Sequence, residues 1–146
     1  MTSFTTKRLA RDVDHIAPDG SEIRLLGRVN GGSFCHCTLP AGTTSAAVRN
    51  RTVEEVWYFL EGQGQVWRKQ GEREETVDVS PEVCLTMPAG THFQFRNTGP
   101  GPLCFVIATM PPWPGAGESE DVAGPWDRQV TPASRDARRR PAPASA

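Results

Sequence analysis

Short apolar segments separated by glycine- and proline-containing turns run through most of this sequence, and no part of it repeats apolar residues at a helical period. Such segments are too short to bury an apolar face alone, so they must pair into sheets. The sequence therefore predicts an all-β protein, either a sandwich or a barrel. The predicted strands are 22–28, 33–39, 53–60, 65–69, 76–79, 83–87, 91–96 and 103–108.

Two stretches of the chain carry motif residues at characteristic spacings. Residues 42–62 read GTTSAAVRNRTVEEVWYFLEG, and residues 88–97 read PAGTHFQFRN. They resemble the two motifs of the cupin superfamily, which combine glycine, His-x-His, glutamate and glycine with a later Pro-x-Gly-x-x-His-x-x-x-Asn. The resemblance covers roughly residues 20 to 115. It implies a cupin-type double-stranded β-helix, which is a jelly-roll barrel.

Most positions that hold the metal in the family's motifs carry other side chains here. The two histidine positions of the first motif are Val48 and Asn50, and that of the second motif is Phe93. Only Glu55 keeps the family residue. One carboxylate and one amide make a weak site for a transition metal, which normally relies on imidazole in oxygen and nitrogen sites. We therefore expect no cofactor, and no metal of the family type.

His92 offers an alternative route to a metal site, because it stands one residue before the family's histidine position. A β-bulge at Thr91 would turn its imidazole inward, where it could bind a metal with Glu55 and a cysteine. The spacing from Gly90 to Asn97 is unchanged, so no inserted residue is available for the bulge. We expect His92 on the outer face of the barrel.

Strand alternation predicts which side chains point into the barrel. If Glu55 faces inward as the family ligand does, Trp57 and Phe59 share its face, because successive strand residues point to opposite sides. The same counting turns Cys35 and Cys37 inward. The predicted pocket is therefore aromatic and thiol-lined, and it consists of Cys37, Val48, Trp57, Phe59, Phe93 and Phe95.

Glu55 and Asn50 are the predicted catalytic residues. A carboxyl group with apolar walls loses hydration, which raises its pKa toward the range useful for acid–base chemistry. Asn50 would polarise a carbonyl group. The alternative is a structural role, in which Glu55 hydrogen-bonds Asn50 or Arg49. Arg49, Arg51 and Arg96 favour an anionic substrate if they frame the mouth of the barrel; otherwise they pair with surface acids.

Three functions follow from the altered motifs. The first is a small-molecule enzyme that works without a family-type metal, by proton transfer, isomerisation or cyclisation. Cupins known as sugar epimerases and polyketide cyclases imply that the fold supports such chemistry. The second is a non-catalytic module that binds a small ligand. The third, which ranks last, is a metalloenzyme with unusual ligands.

Composition limits the partners and the compartment. A formal net charge of −1 provides no general attraction to nucleic acid or to an anionic membrane. The chain has no apolar run long enough to span a bilayer and no apolar signal-peptide segment, so we expect a cytoplasmic protein. The four cysteines lie in strand-like runs without a CxxC motif, which predicts reduced core residues. A small-molecule ligand and a second copy in a homodimer are the expected partners.

The chain is long enough for one domain. Residues 1–112 are predicted to form a single barrel preceded by an N-terminal arm, in which Pro18-Asp19-Gly20 marks a turn. Residues 113–146 are predicted to form a C-terminal arm rich in proline and glycine. Trp113 and Trp126 would anchor this arm, and the tail from Thr131 is predicted to be disordered.

Overall fold

The computed structural model describes residues 3–129, and nearly all of its regular structure is β-strand. A single 3-10 turn at Ala116–Glu118 is the one helical element of this part of the chain. None of its helices is long and apolar enough to cross a membrane. The strands are β1 His15–Ile16, β2 Glu22–Val29, β3 Gly32–Leu39, β4 Val48–Asn50, β5 Glu54–Glu61, β6 Gly64–Gln70, β7 Arg73–Val79, β8 Cys84–Met87, β9 His92–Asn97, β10 Leu103–Met110 and β11 Ser119–Asp121.

The strands form two antiparallel sheets. The first has the order β1-β2-β3-β10-β5-β8, and the second has the order β11-β4-β9-β6-β7. Strands that are distant in sequence lie side by side, as in a jelly roll, where the chain passes repeatedly between two facing sheets. The predicted all-β jelly-roll class is confirmed. All eight predicted strands are present, with ends that differ by a few residues.

Three short strands were not predicted. They are β1, β4 and β11, and each has two or three residues. Such segments are too short for an alternating pattern to be recognised, and they become strands only because a distant partner is available. β4 pairs with both β9 and β11, so it links the strand of the second motif to the C-terminal arm.

The core lies between the sheets, and alternation along β5 shows how it is filled. Glu55, Trp57 and Phe59 are buried, whereas the residues between them are exposed. The Trp57 ring stacks on Phe105 at 4.8 Å between centroids, and Phe59 lies 4.7 Å from the same ring. Each such aromatic pair contributes about 0.5–1.5 kcal/mol beyond the area that it buries. The inward orientation predicted for Trp57 and Phe59 is confirmed.

The motif glycines fill positions that a larger residue could not. Gly62 follows β5 with a φ of 88°, a conformation that L-residues rarely adopt. A Cβ atom at Gly62 would also collide with the backbone carbonyl of Pro102. The close approach between the end of β5 and the Pro102 backbone therefore requires glycine at this motif position.

The C-terminal arm packs against the barrel through both predicted anchors. The Trp113 backbone N–H donates a hydrogen bond of 3.0 Å to Ser33 Oγ. The guanidinium of Arg96 lies 4.1 Å from the centroid of the Trp126 ring. The Gln94 side-chain amide donates to the Trp126 carbonyl and accepts from the Trp126 N–H. The predicted tail from Thr131 lies outside the described residues.

The outer face of the first sheet is partly apolar. Val56, Tyr58 and Leu60 on β5 are 37%, 42% and 46% exposed. Cys84 lies opposite Tyr58 and is also exposed, so the prediction that all four cysteines are core residues is wrong for this one. All four are free thiols. The homodimer remains a prediction, and this face is a candidate surface for it.

Candidate functional site

A cavity of about 350 Å³ opens between the two sheets. Its walls are largely apolar, and most of the lining residues belong to strands β2, β3, β5, β9 and β10. Both ends of the described chain complete the wall, because Ser3 and Thr5 line it from the N-terminal side and Trp113 and Ser119 from the C-terminal side. The apolar lining residues include Ile23, Leu25, Trp57, Phe93, Phe95 and Ile107.

Glu55 is the buried carboxyl group of this cavity, with only 7% of its surface exposed. Trp57, two residues along the same face of β5, donates its indole N–H to Oε1 at 3.1 Å. Thr109 lies directly opposite Glu55 on β10 and donates its hydroxyl to Oε2 at 3.1 Å. Each carboxyl oxygen therefore has a fixed donor, and strand pairing determines the position of both.

Asn50 is the third neighbour of Glu55. Its Oδ1 accepts a hydrogen bond of 3.1 Å from Ser119 Oγ, which lies opposite it on β11. Asn50 lines the same cavity as Glu55, and its amide acts as a donor that lowers the pKa of the Glu55 carboxyl. The C-terminal arm thus orients a residue of the site without touching Glu55 itself.

The electrostatics of Glu55 are those of a carboxyl group suited to proton transfer. Burial raises its pKa from 4.5 to about 7, while the hydrogen bonds from Trp57 and Thr109 act against this rise. The negative charge of Asp19 raises the pKa further, and the Asn50 amide lowers it. The group is therefore divided between its two protonation states near neutral pH, where acid–base catalysis is most efficient.

Asp19 is a cavity residue that the sequence did not indicate as functional, and Cys35, which alternation turned inward, lines the cavity beside it. The Asp19 Oδ1 atom accepts hydrogen bonds from the Ser21 backbone N–H at 2.9 Å and from Ser21 Oγ at 2.6 Å. Burial raises the pKa of Asp19. Burial, together with the charges of Glu55 and Asp19, raises the pKa of Cys35 to about 12, so this residue is a neutral thiol. In the sequence, Asp19 is only the middle of a turn signal.

The structure brings three of the six predicted pocket residues to the cavity wall, namely Trp57, Phe93 and Phe95. Cys37, Val48 and Phe59 are buried but do not line the cavity. Cys37 and Phe59 lie on either side of Phe105 in the first sheet. Val48 belongs to the same packed core.

A comparison with protein families identifies the fold family. The model of the cupin domain matches residues 35–109, about half of the chain. The chain belongs to the cupin family. The match begins on β3 and ends on β10, so it contains the strands that carry Glu55, Asn50 and the aromatic wall.

Individual relatives of this cupin are distant. An uncharacterised protein of Methanocaldococcus jannaschii, MJ1618, is 28% identical over 119 residues, which cover 75% of this chain and 92% of that protein. Among solved structures, a variant of Streptomyces PAC13 with uridine has a TM-score of 0.62 at 15% identity and covers 82% of this chain and 92% of its own. Bacillus subtilis oxalate decarboxylase, studied for its Mn(II) centres, has a TM-score of 0.61 at 14% identity, and the coverage is 75% of this chain and 30% of that one. The likeness to these structures concerns the fold.

The side chains at the family's ligand positions do not fit a metal in this cupin. Val48 and Phe93 pair across β4 and β9 and offer only hydrocarbon. The register of β9 with β6 continues to His92 without a bulge, so His92 stays on the face opposite to Phe93 and does not join Glu55. Within residues 3–129, no cluster of three or more His, Cys, Asp or Glu side chains could hold a metal ion.

The three arginines that were considered as a frame for the mouth do not line the cavity. Arg49 forms a salt bridge of 2.6 Å with Glu120 on β11. Arg96 stacks on Trp126 and donates to Gln65 Oε1 at 2.6 Å. The alternative in which such arginines pair with surface acids is confirmed for Arg49. None of these three arginines therefore supports an anionic substrate.

Proposed function

We propose that this cupin is an enzyme that moves a proton on a small molecule bound in the cavity, with Glu55 as the acid–base group and without a metal of the family type. The isomerisation or cyclisation of a carbonyl compound is the reaction class. The observation that carries the proposal is the buried carboxyl group of Glu55, with a pKa of about 7, which neighbouring donors hold in place inside an aromatic cavity.

In the proposed step, the Glu55 carboxylate accepts a proton from a carbon next to a carbonyl group, and the electron pair of the C–H bond forms an enolate. The carboxylic acid then returns the proton at another position, so that Glu55 is regenerated. The Trp57 and Thr109 donors hold the carboxylate in place. Asn50 keeps one amide hydrogen that can stabilise the developing oxyanion, since only one of the two is needed for Glu55.

The relatives support this class of function without defining it. Oxalate decarboxylase is an enzyme with the same fold, and the PAC13 structure shows that a cupin of similar length accommodates uridine. By analogy with uridine in PAC13, we propose that the ligand of the present cavity is a small molecule that contains a ring. The proposed place of action is the cytoplasm, as the sequence predicts.

A second candidate is a non-catalytic ligand-binding cupin, in which Glu55 is only a buried structural group. The hydrogen bonds from Trp57 and Thr109 favour this alternative, because they satisfy both carboxyl oxygens within the fold.

Solvent deuterium exchange separates the two candidates without knowledge of the natural substrate. Small cyclic ketones are incubated with the protein in D₂O, and incorporation next to the carbonyl group is followed by NMR. We expect exchange above the buffer rate in the wild type and a loss of about 10²–10⁴-fold in Glu55→Gln. Glu54→Gln is the matched control, because Glu54 is the adjacent residue on the outer face.

Two results would contradict the proposal. One is exchange at the buffer rate for every ketone with wild-type protein, and the other is exchange that persists in Glu55→Gln. Elemental analysis of untagged protein completes the experiment. About one tightly bound metal per chain would support the third alternative of the sequence analysis, a metalloenzyme with unusual ligands.

A further inference from the structure

The charged groups that line the cavity are strongly biased toward acids. Glu55 and Asp19 are its two carboxyl groups. Burial lowers the pKa of His15, so its imidazole is neutral at neutral pH, and Cys35 is a neutral thiol. Arg28 is the one cation among the lining residues of the described chain, and it is solvent-exposed, with Nη1 donating to the Trp113 carbonyl at 3.4 Å.

Asp19 is held rigidly, and one of its oxygens is available. Its backbone carbonyl accepts a hydrogen bond of 2.8 Å from the Ala46 N–H, and Ser21 binds Oδ1 twice. The other oxygen, Oδ2, has no hydrogen-bond partner among residues 3–129. Arg128 approaches the adjacent Gly20, and its charge lowers the pKa of Asp19, but Arg128 does not line the cavity.

The two carboxyl groups act on the same space. Both of their charges raise the pKa of Cys35, and the charge of Asp19 raises the pKa of Glu55. The wall beside them is formed by Trp57, which meets Phe93 and Phe95 edge to face at 5.3 Å. Aromatic rings attract cations through their negative faces, and a cation between two carboxylates would relieve the repulsion between these groups.

We propose that the cavity selects a planar ligand with a cationic nitrogen group, such as an amidine, a guanidine or a ring amine, held between the carboxyl groups of Asp19 and Glu55. This inference deepens the proposed function and rests on its assignment of the cavity as the binding site. It differs from the anionic substrate that was considered for the case in which arginines frame the mouth, and it gives Asp19 the role of second anchor.

Three compounds of nearly the same shape test the selection. Benzamidine is cationic, benzamide is neutral and benzoate is anionic. Binding is measured by NMR at about pH 8, above the pKa of Glu55, so that the Glu55 carboxyl group is ionised. The Trp57 indole N–H reports on Glu55, and the Ser21 amide reports on Asp19. We expect benzamidine to bind about tenfold more tightly than benzamide and benzoate to bind weakest.

The Asp19→Asn variant isolates the second anchor. Its amide oxygen can still accept the bonds from Ser21, but its charge is gone, so the preference for benzamidine over benzamide should fall from about tenfold to about threefold, with the remainder due to Glu55. Asp12→Asn is the matched control, because this carboxyl group on the same arm is exposed and does not line the cavity. It should leave the preference unchanged.

Several results would overturn the inference. The first is that benzamide binds the wild type as tightly as benzamidine or more tightly. The second is that benzamidine shifts neither reporter signal of the wild-type protein up to its solubility limit. The third is that Asp19→Asn keeps the wild-type preference for benzamidine over benzamide. The wild-type measurement does not depend on the folding of any variant. If the preference responds to Glu55→Gln but not to Asp19→Asn, the role of Asp19 fails while the proposed function stands. If ketone exchange is absent while benzamidine selection is normal, the reaction fails and the ligand class stands.

Discussion

Replacing Glu55 by Gln also tests the buried carboxyl group through the stability of the fold. The amide keeps the size of the side chain, and its oxygen can accept the hydrogen bond from Trp57 while its NH₂ group donates to the Thr109 hydroxyl, but it does not titrate. The wild-type carboxyl group titrates with a pKa that rises from 4.5 to about 7 on folding. The folded state therefore holds this proton more tightly than the unfolded state does.

The direction of the pH effect follows from this difference. Below pH 4.5 both states are protonated, and the stabilising effect of the bound proton is complete. Between pH 4.5 and about 7 only the folded state keeps the proton, so the free energy of unfolding falls as the pH rises. The full loss is about 3 kcal/mol. Because the Gln variant escapes this loss, it should gain about 3 kcal/mol relative to the wild type across the interval.

Urea unfolding at a series of pH values, followed by tryptophan fluorescence, measures the effect. The quantity of interest is the difference in free energy of unfolding between the variant and the wild type. Glu54→Gln serves as the control, because Glu54 is exposed and its difference should stay nearly constant with pH. A Glu55→Gln difference that is the same at pH 4 as at pH 8, to within about 1 kcal/mol, would refute the argument that burial raises this pKa.

Two further predictions concern the arm and the surface. Glu118→Ala should lower the free energy of unfolding by roughly 2–4 kcal/mol, because the Val53 N–H, now bonded to Glu118 Oε1 at 2.7 Å, would be buried without an acceptor. Denaturant unfolding measures this, and a loss no greater than that of the exposed control Asp121→Ala on the adjoining strand β11 would show that the arm is not fixed there. Tyr58→Arg should convert a dimer into a monomer in sedimentation velocity without loss of stability, because Tyr58 is 42% exposed on the apolar outer face. A monomeric wild type would remove the predicted homodimer.

Local alternation made much of the barrel predictable. The pattern in β5 is unambiguous, so the inward positions of Glu55, Trp57 and Phe59 follow from the sequence once one of them is assigned. The glycine and proline positions of the motifs then place β5 and β9 in their order. The increase in the pKa of Glu55 was also predictable, because desolvation depends mainly on the apolar character of the wall.

The rest of the site depends on contacts between distant segments. Asp19 reads as a turn residue, and it reaches the cavity only because β1 and β2 pair beside β3. The conformation of Asn50 depends on Ser119, which lies far along the chain in a segment that resembles a loop. Arg96 was a candidate for the mouth, but it is engaged by Trp126. None of these pairings leaves a local pattern in the sequence.

The position of Ser119 has a consequence for the order in which the molecule becomes functional. The last strand of the matched cupin domain, β10, ends at Met110, before the segment that supplies Trp113 and Ser119. A ribosome therefore releases all the strands of the six-stranded sheet before the chain can orient Asn50. The six-stranded sheet is therefore complete first, and the segment after β10 adds the last strand of the second sheet and finishes the chemical site. A chain cleaved between β10 and β11 would keep the six-stranded sheet and lose the hydroxyl group that binds Asn50 Oδ1.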